Sequence, residues 1–239
     1  MSMTLEPGVL RLSTSSLDAR PLFWNEDDVR KGYEPGAAQA VADALGLALI
    51  WHYTEWGDRS AAVLNGQADG VWCGVSITPE RMETLDFTDP YAYFNESCIL
   101  RGGLVARSPE ELAGMRIGAA ESSTNLDLVS TWQGVEAVSF SGDVDDIFSV
   151  LIEATVAGEI DGFVDDEPAV VPLAERDPRL TFGFSVESRR PWACGVAKGN
   201  TQLRDALNVS LNQLLADGSL ADIWASHLPF LAFPLRVNA

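Results

Sequence analysis

The chain of 239 residues has few of the residues that build disulfide frameworks and metal sites. Its three cysteines are Cys73, Cys98 and Cys194, and they include no C-x-x-C pair. So low and odd a number argues against a disulfide framework. The two histidines, His52 and His227, are far apart with no cysteine nearby, which argues against a zinc site. We therefore expect neither a metal nor a cofactor.

Basic residues are also scarce. Sixteen lysines and arginines stand against 35 aspartates and glutamates, which gives a formal net charge of −19. This balance argues against nucleic acid, whose phosphates require a basic surface, and against an anionic membrane surface. It fits a very soluble protein and is compatible with a cationic or zwitterionic ligand.

Long apolar runs are missing as well. No stretch of 18 apolar residues exists, so the sequence predicts no transmembrane helix. The first residues, MSMTLEPGVL, lack the basic and apolar regions of a secretory signal peptide. Either such a peptide is not part of this sequence, or the protein is cytoplasmic.

The most informative stretch runs from Asp69 to Tyr91, DGVWCGVSITPERMETLDFTDPY. Val71 and Trp72 form a short apolar run, which is typical of a buried strand. The small pair Cys73 and Gly74 closes that run and indicates a place where the backbone approaches something closely.

The residues that follow predict a carboxylate site. Pro79 favours the first turn of a helix, which brings Ser76 and Arg81 to the same strand end. A hydroxyl and a planar guanidinium suit a carboxylate, because the guanidinium can bind both of its oxygens. The alternative is a surface arginine in a solvated turn.

SITPER followed by LDFTDPY resembles the signature of bacterial extracellular solute-binding proteins, family 3, the polar amino-acid receptors of ABC importers. The resemblance covers roughly residues 9–228. It implies a monomeric receptor that binds a small zwitterion, most simply an amino acid, and delivers it to an ABC permease. It also implies a periplasmic or other extracytoplasmic location.

Strand and helix patterns alternate along the chain, which predicts an α/β fold. The resemblance specifies the type II fold of periplasmic binding proteins: two lobes, each an open sheet flanked by helices, joined by two hinge strands. Lobe one is expected at residues 1–94 plus 195–239, and lobe two at residues 95–194. The ligand is expected in the cleft between the lobes, which closes by a hinge motion.

The resemblance also assigns the ligand-binding residues of lobe one. Arg81 and Ser76, with the backbone at Gly74, are expected to bind the carboxylate. Aromatic side chains are expected to clamp the ligand's side chain. The aromatic candidates are Trp56, Trp72, Phe23 and Trp24. For Trp56, a half-buried core position is the alternative.

In lobe two, Ser123 and Thr124 occupy the place of a loop that meets the carboxylate at a helix N-terminus, and helix capping alone is the alternative. The family has a glycine at Ser122. Asp166 matches the carboxylate that holds the ammonium group, although an N-cap before the next helix is also possible. Adjacent strand residues point to opposite faces, so a slip of one residue would put Asp165 in its place.

The identity of the ligand stays open. Glu121 and Asp18 add negative charge near the expected pocket, which hints at a cationic side chain. Several tryptophans hint instead at a quaternary ammonium compound. The pairing of carboxylate and ammonium contacts favours an ordinary α-amino acid over both.

Two other functions are possible on the same fold. Cyclohexadienyl (prephenate) dehydratases resemble these receptors, and Glu167 or Asp166 would then be the catalytic acid. A ligand-sensing module detached from a signalling receptor is the other. Finally, Cys98 and Cys194 fall on the two predicted crossing strands, so they are either disulfide-bonded neighbours or an unlinked buried pair.

Overall fold

A computed structural model describes residues 3–144 and 146–236. Strands β1 to β12 span, in order, Val9–Thr14, Trp24–Glu26, Val29–Lys31, Ala48–Tyr53, Gly70–Val71, Leu85–Phe87, Ala92–Arg101, Arg116–Ala120, Glu136–Phe140, Gly162–Asp166, Leu180–Trp192 and Gly195–Ala197. Helices α1 to α8 span, in order, Tyr33–Ala44, Arg59–Leu64, Pro79–Thr84, Thr124–Ser130, Ile147–Ala157, Glu167–Arg176, Thr201–Ala216 and Ser219–His227. Short 3-10 turns lie at Trp56–Asp58 and Pro109–Leu112.

The chain divides into two compact units. The first comprises Met1–Ser16, Arg20–Tyr93 and Arg190–Ala239, and the second comprises Leu17–Ala19 and Phe94–Arg189. Both main borders fall inside long strands, β7 and β11, so the chain passes between the units in extended conformation.

The first unit contains a five-stranded sheet with the order β4-β1-β5-β12-β6. β1 runs parallel to β4 and β5, whereas β12 is antiparallel to β5 and β6. The carboxyl ends of three parallel strands therefore meet at one edge, which is where ligands bind in open α/β sheets. Helix α2 packs on this sheet over an apolar cluster made of Ala62, Val63, Ala68, Val71, Val75 and Leu85.

The second unit contains a five-stranded sheet with the order β11-β7-β10-β8-β9. β8 runs parallel to β9 and β10, and β7 is antiparallel to β10. Helices α4 and α5 pack on β8 and β10. The core of this unit is an apolar cluster of Cys98, Leu100, Ala106, Leu112, Ile117, Val129, Trp132, Val164 and Phe184.

Two mixed five-stranded sheets flanked by helices confirm the predicted α/β fold class. Apolar and polar residues alternate over Val9–Thr14, which predicts a strand, and β1 occupies this stretch. Helix α1 likewise covers the apolar periodicity after Gly32.

Two elements differ from the sequence prediction. The sequence of residues 15–28, SSLDARPLFWNEDD, predicts a loop, but its last part forms a hairpin in which β2 pairs with β3. Asp27 and Asp28 both have positive φ, 53° and 60°, the conformation that a tight two-residue hairpin turn requires. The sequence predicts a strand at residues 179–184 and, from the resemblance, the second crossing at residues 192–198. The structure has instead one strand of 13 residues, Leu180–Trp192, and the border between the units falls inside it.

All three cysteines are buried, free thiols. Cys98 lies in the apolar cluster of the second unit, and burial raises the pKa of its thiol to about 12. The disulfide hypothesis for Cys98 and Cys194 is therefore wrong in this structure, and the alternative of unlinked buried thiols holds. Cys98 packs as a small apolar side chain in that cluster.

Candidate functional site

The carboxyl end of β5 is built around a turn at Gly74. Its φ is +61°, in the left-handed region where a side chain is strained, and an added Cβ would lie 3.2 Å from the Trp192 ring. The Gly74 N–H donates a hydrogen bond to Glu34 Oε1 at 2.8 Å. This position therefore requires glycine, in agreement with the close approach that the sequence predicts.

The structure brings Ser76 and Arg81 together just beyond this turn. Thr78 caps helix α3, because its Oγ1 accepts a hydrogen bond from the Arg81 N–H at 3.2 Å. The Arg81 side chain then turns back, and Nη1 donates to the carbonyl oxygen of Ser76 at 2.9 Å. Ser76 is buried, and Arg81 is half-buried. A main-chain contact thus fixes a guanidinium at the end of the sheet.

Trp72 lies behind the turn, in the core. Its ring stacks on Tyr91 with centroids 4.3 Å apart and an angle of 8° between the planes, and both residues are fully buried. Contact of the Trp72 ring with a ligand stays a prediction, and this burial disfavours it.

The loop after β1 and hairpin β2–β3 carry the other aromatic candidates. Phe23 is buried, and the guanidinium of Arg30 lies 4.9 Å from its ring centre. Trp24 is half-buried, and Arg20 lies 5.2 Å from its ring centre. Asp18 is partly exposed and belongs to the short segment that clusters with the second unit. These cation–π contacts indicate that arginine side chains of the protein hold both rings in place.

A buried charge cluster, made of Arg30, Glu34, Arg59 and Cys73, lies against the turn at Gly74. Arg30 Nη2 approaches Cys73 Sγ at 3.7 Å, and Arg59 Nη1 donates to the Cys73 carbonyl oxygen at 2.9 Å. Our sequence reasoning missed this cluster, because its members are distant along the chain. No local pattern unites them, although an arginine at the start of the short helix α2, shortly before its apolar residues, is a usable signal.

The cluster shifts the pKa values of its members. Burial raises the pKa of Glu34, although hydrogen bonds from Tyr91 and the Gly74 N–H oppose this rise. For Cys73, burial raises the pKa of the thiol, but the guanidiniums of Arg59 and Arg30 outweigh it and the net pKa is lowered. Neighbouring charges thus compensate a desolvation cost that isolated buried charges do not recover.

Trp56 forms a stacked pair with Arg59. The guanidinium carbon of Arg59 lies 3.3 Å from the centre of the Trp56 ring, and Nε donates to the Trp56 carbonyl oxygen at 2.6 Å. Trp56 is half-buried, and Arg59 is only 7% exposed. The three-residue spacing places both side chains on one helical turn.

In the second unit, the loop from Glu121 to Thr124 opens helix α4. Ser122 has a φ of 54°, so it adopts the left-handed conformation usual for glycine. The Ser123 hydroxyl accepts a hydrogen bond from the Leu126 N–H at 3.1 Å and donates to the Ala120 carbonyl oxygen at 2.5 Å. Glu121 Oε1 accepts from the Ser141 hydroxyl at 3.0 Å. Ser123 therefore caps the helix, and Thr124 begins it.

Asp166 ends β10 and occupies the N-cap position of α6. Its side chain makes no capping hydrogen bond, and its backbone N–H donates to Asp165 Oδ1 at 2.8 Å. The capping alternative therefore does not account for the Asp166 carboxylate. In the sheet, Asp166 pairs with Glu96 and Asp165 pairs with Ser97.

Asp165 is a buried carboxyl group. Burial, together with the negative charge of Glu96, raises its pKa to about 7, although a hydrogen bond from Asn125 and one from the Asp166 N–H oppose the rise. Glu96 is itself fully buried and accepts a hydrogen bond from Ser188. Asp165 and Glu96 are thus two buried carboxyl groups that interact within the second unit.

In the described ranges 3–144 and 146–236, no group of three or more His, Cys, Asp or Glu side chains is placed to hold a metal ion. Within those same ranges, none of the helices has the length and apolar character needed to cross a membrane.

The fold is that of the type II periplasmic binding proteins. The chain superposes on an ancestral arginine-binding protein bound to glutamine with a TM-score of 0.83 and 25% identity, over 93% of this chain and 99% of that one. The chain belongs to the bacterial extracellular solute-binding proteins, family 3, whose sequence pattern matches residues 14–229.

Two relatives show the range of the family. The amino-acid-binding protein AabA of Dichelobacter nodosus is 25% identical over 202 residues, which are 83% of this chain and 79% of that protein. The membrane-bound lytic murein transglycosylase F of Desulfosudis oleivorans is 25% identical over 201 residues. That match covers 81% of this chain but only 43% of the enzyme. The family therefore includes binding proteins and parts of enzymes.

Proposed function

We propose that this protein is the solute-binding receptor of an ABC importer and that its ligand is a zwitterionic α-amino acid. The observation that carries the proposal is the placement of the Arg81 guanidinium at the carboxyl end of β5, held by the Ser76 carbonyl. A guanidinium fixed in this way is pre-organised for a carboxylate, so little side-chain entropy is lost when the ligand binds. The similarity to an amino-acid-binding protein supports the same class of ligand.

In this proposal, Arg81 and the Ser76 hydroxyl of the first unit bind the α-carboxylate, with Ser123 and Thr124 of the second unit as further donors. Asp166 of the second unit binds the α-ammonium group. Hydrogen bonds to charged groups contribute about 1.5–3 kcal/mol each. A few of them, after the cost of ordering, are sufficient for a micromolar Kd, about −8 kcal/mol. Because the two units share the ligand, binding favours a closed state.

Calorimetry with the twenty amino acids tests this function. We expect at least one of them to bind the wild type, and Arg81→Ala to abolish that binding while the circular dichroism spectrum stays unchanged. Arg107→Ala is the matched control, because Arg107 is exposed and its hydrogen bond to Glu111 uses the backbone N–H, which alanine keeps. Unchanged affinity in Arg81→Ala would overturn the assignment.

The location and the partners follow from the same proposal. A receptor of this family works outside the cytoplasmic membrane as a monomer and docks on a permease. Fractionation of the native organism and light scattering of the purified protein test these two statements.

A dehydratase-like enzyme is the second candidate, and Asp165 favours it. A buried carboxyl group whose pKa is raised to about 7 can hold a proton at neutral pH and donate it as a general acid. Glu167 is less suited, because both of its carboxylate oxygens already accept hydrogen bonds, from Ser185 and Asn95. Release of phenylpyruvate from prephenate, lost in Asp165→Asn, would favour this enzyme over the receptor.

A further inference from the structure

The segment from Cys73 to Ser76 is surrounded by more positive than negative charge. Arg30 and Arg59 both contact Cys73, and Arg81 contacts Ser76. Three guanidiniums therefore lie along four consecutive residues. The whole chain carries a formal net charge of −19, so this concentration of arginines runs against its composition.

Glu34 is the acidic group that faces the same segment, through its hydrogen bond to the Gly74 N–H. It offsets one of the three positive charges at most. The exposed acids Glu55 and Asp58 flank Trp56, but solvent and salt screen charges at such positions.

Arg59 sets the electrostatics of the Trp56 ring. Its guanidinium carbon lies 3.3 Å from the ring centre, so one face of the indole already carries a positive charge. A ligand group in contact with the opposite face would lie roughly 7 Å from that charge, the sum of this spacing and an ordinary contact distance. The two recorded hydrogen bonds of Arg59 use Nε and Nη1, so they hold the guanidinium in this position.

An aromatic ring that already has a cation on one face binds a second cation only weakly on its other face. The attraction between a cation and an aromatic face comes from the ring's quadrupole, and here it is opposed by repulsion from Arg59 across the ring. This repulsion acts in a half-buried site, where screening is weaker than in bulk water. An uncharged side chain does not experience it, and an acidic side chain is attracted.

We infer that the first unit selects an α-amino acid whose side chain is uncharged or acidic, and that Arg59 excludes cationic side chains. This inference rests on the proposed function, because it places the ligand's side chain at Trp56. It runs against the hint of a cationic ligand that Glu121 and Asp18 give in the sequence.

Competition between amino acids in calorimetry tests the inference. For the wild type, the tightest ligand among the twenty amino acids is expected to be uncharged or acidic, and to bind at least tenfold more tightly than arginine and lysine. Arg59→Met removes the charge and keeps an unbranched side chain, so arginine should gain at least tenfold relative to that ligand. Arg59→Lys retains the charge and should preserve the discrimination.

The outcomes separate this inference from the function on which it rests. If arginine or lysine is the tightest ligand of the wild type, or if Arg59→Met leaves the ratio unchanged, the selectivity inference is overturned and the receptor function stands. If none of the twenty amino acids binds, the receptor function fails and the inference fails with it. Should Arg59→Met not fold, the wild-type preference alone decides.

Discussion

The carboxylate of Glu34 accepts a hydrogen bond from the backbone N–H of Gly74 at 2.8 Å, and it accepts a second one from the Tyr91 hydroxyl. These contacts join helix α1 to the turn at the end of β5 and to the start of β7. The turn that precedes Ser76 and Arg81 is therefore fixed by a buried acid from a distant part of the chain. Site geometry and stability of the first unit depend on the same group.

Replacement of Glu34 should destabilise the protein. Glu34→Ala leaves the buried Tyr91 hydroxyl and the part-buried Gly74 N–H without acceptors, and each such loss costs about 1–3 kcal/mol. We expect the free energy of unfolding, measured with urea, to fall by about 2–6 kcal/mol, and Glu34→Gln to cost less because it keeps an acceptor oxygen. Glu55→Ala, at an exposed position, is the control. Equal stability of Glu34→Ala and Glu55→Ala would contradict this account of the turn.

Gly74→Ala should destabilise the turn for two separate reasons. The left-handed conformation costs a non-glycine residue about 1–2 kcal/mol, and the added Cβ would press on the Trp192 ring at 3.2 Å. Gly66 has a similar φ, +69°, but no atom lies within 4 Å of an added Cβ. We therefore expect Gly66→Ala to lower the melting temperature less than Gly74→Ala. The difference between the two decreases measures the destabilisation that comes from the contact with Trp192. A larger loss in Gly66→Ala would refute the close approach at Gly74.

Asp166→Asn tests the ammonium contact of the proposed function. The substitution keeps the shape but removes the negative charge, so affinity for the amino acid should fall by about 10- to 150-fold, the loss of one charge-assisted hydrogen bond. The substitution removes no capping hydrogen bond from helix α6, so the loss of affinity should exceed any loss of stability. Calorimetry and a thermal melt measure the two effects. Asp127→Asn, exposed on helix α4, is the control.

The stability of the protein should depend on pH through Asp165. Its pKa is about 7 in the folded state against an ordinary value of 3.8 for aspartate, so the folded protein binds more protons than the unfolded chain between these values. This contribution to stability is fully present below pH 3.8 and is lost as the pH rises through 7. The melting temperature of the wild type relative to Asp165→Asn should therefore fall between pH 5 and pH 8. A constant difference over this range would show that Asp165 does not titrate there.

The sequence is most informative where structure depends on neighbours along the chain. Pro79 predicts the helix that carries Arg81, and Gly74 predicts a close approach, because these are local backbone preferences. The cluster of Arg30 with Arg59 depends on contacts between distant segments, and no local preference encodes it. Burial of Trp72 against Tyr91 is of the same kind, since a tryptophan at a strand end suits a core as well as a pocket wall.

The backbone conformation was least predictable from the sequence at residues other than glycine that have a positive φ. The hairpin of β2 and β3 requires positive φ at Asp27 and Asp28. Aspartate tolerates this conformation, but an aspartate in the sequence does not predict it. Ser122 has a left-handed φ although it is not glycine, so the surrounding loop, not the residue type, determines its backbone.

The three buried thiols also have a practical consequence. Because Cys73, Cys98 and Cys194 are all shielded, a maleimide dye should react selectively with a cysteine introduced at an exposed position such as Gln39. The native chain then needs no prior removal of cysteines to become a single-label fluorescent reporter of its own ligand.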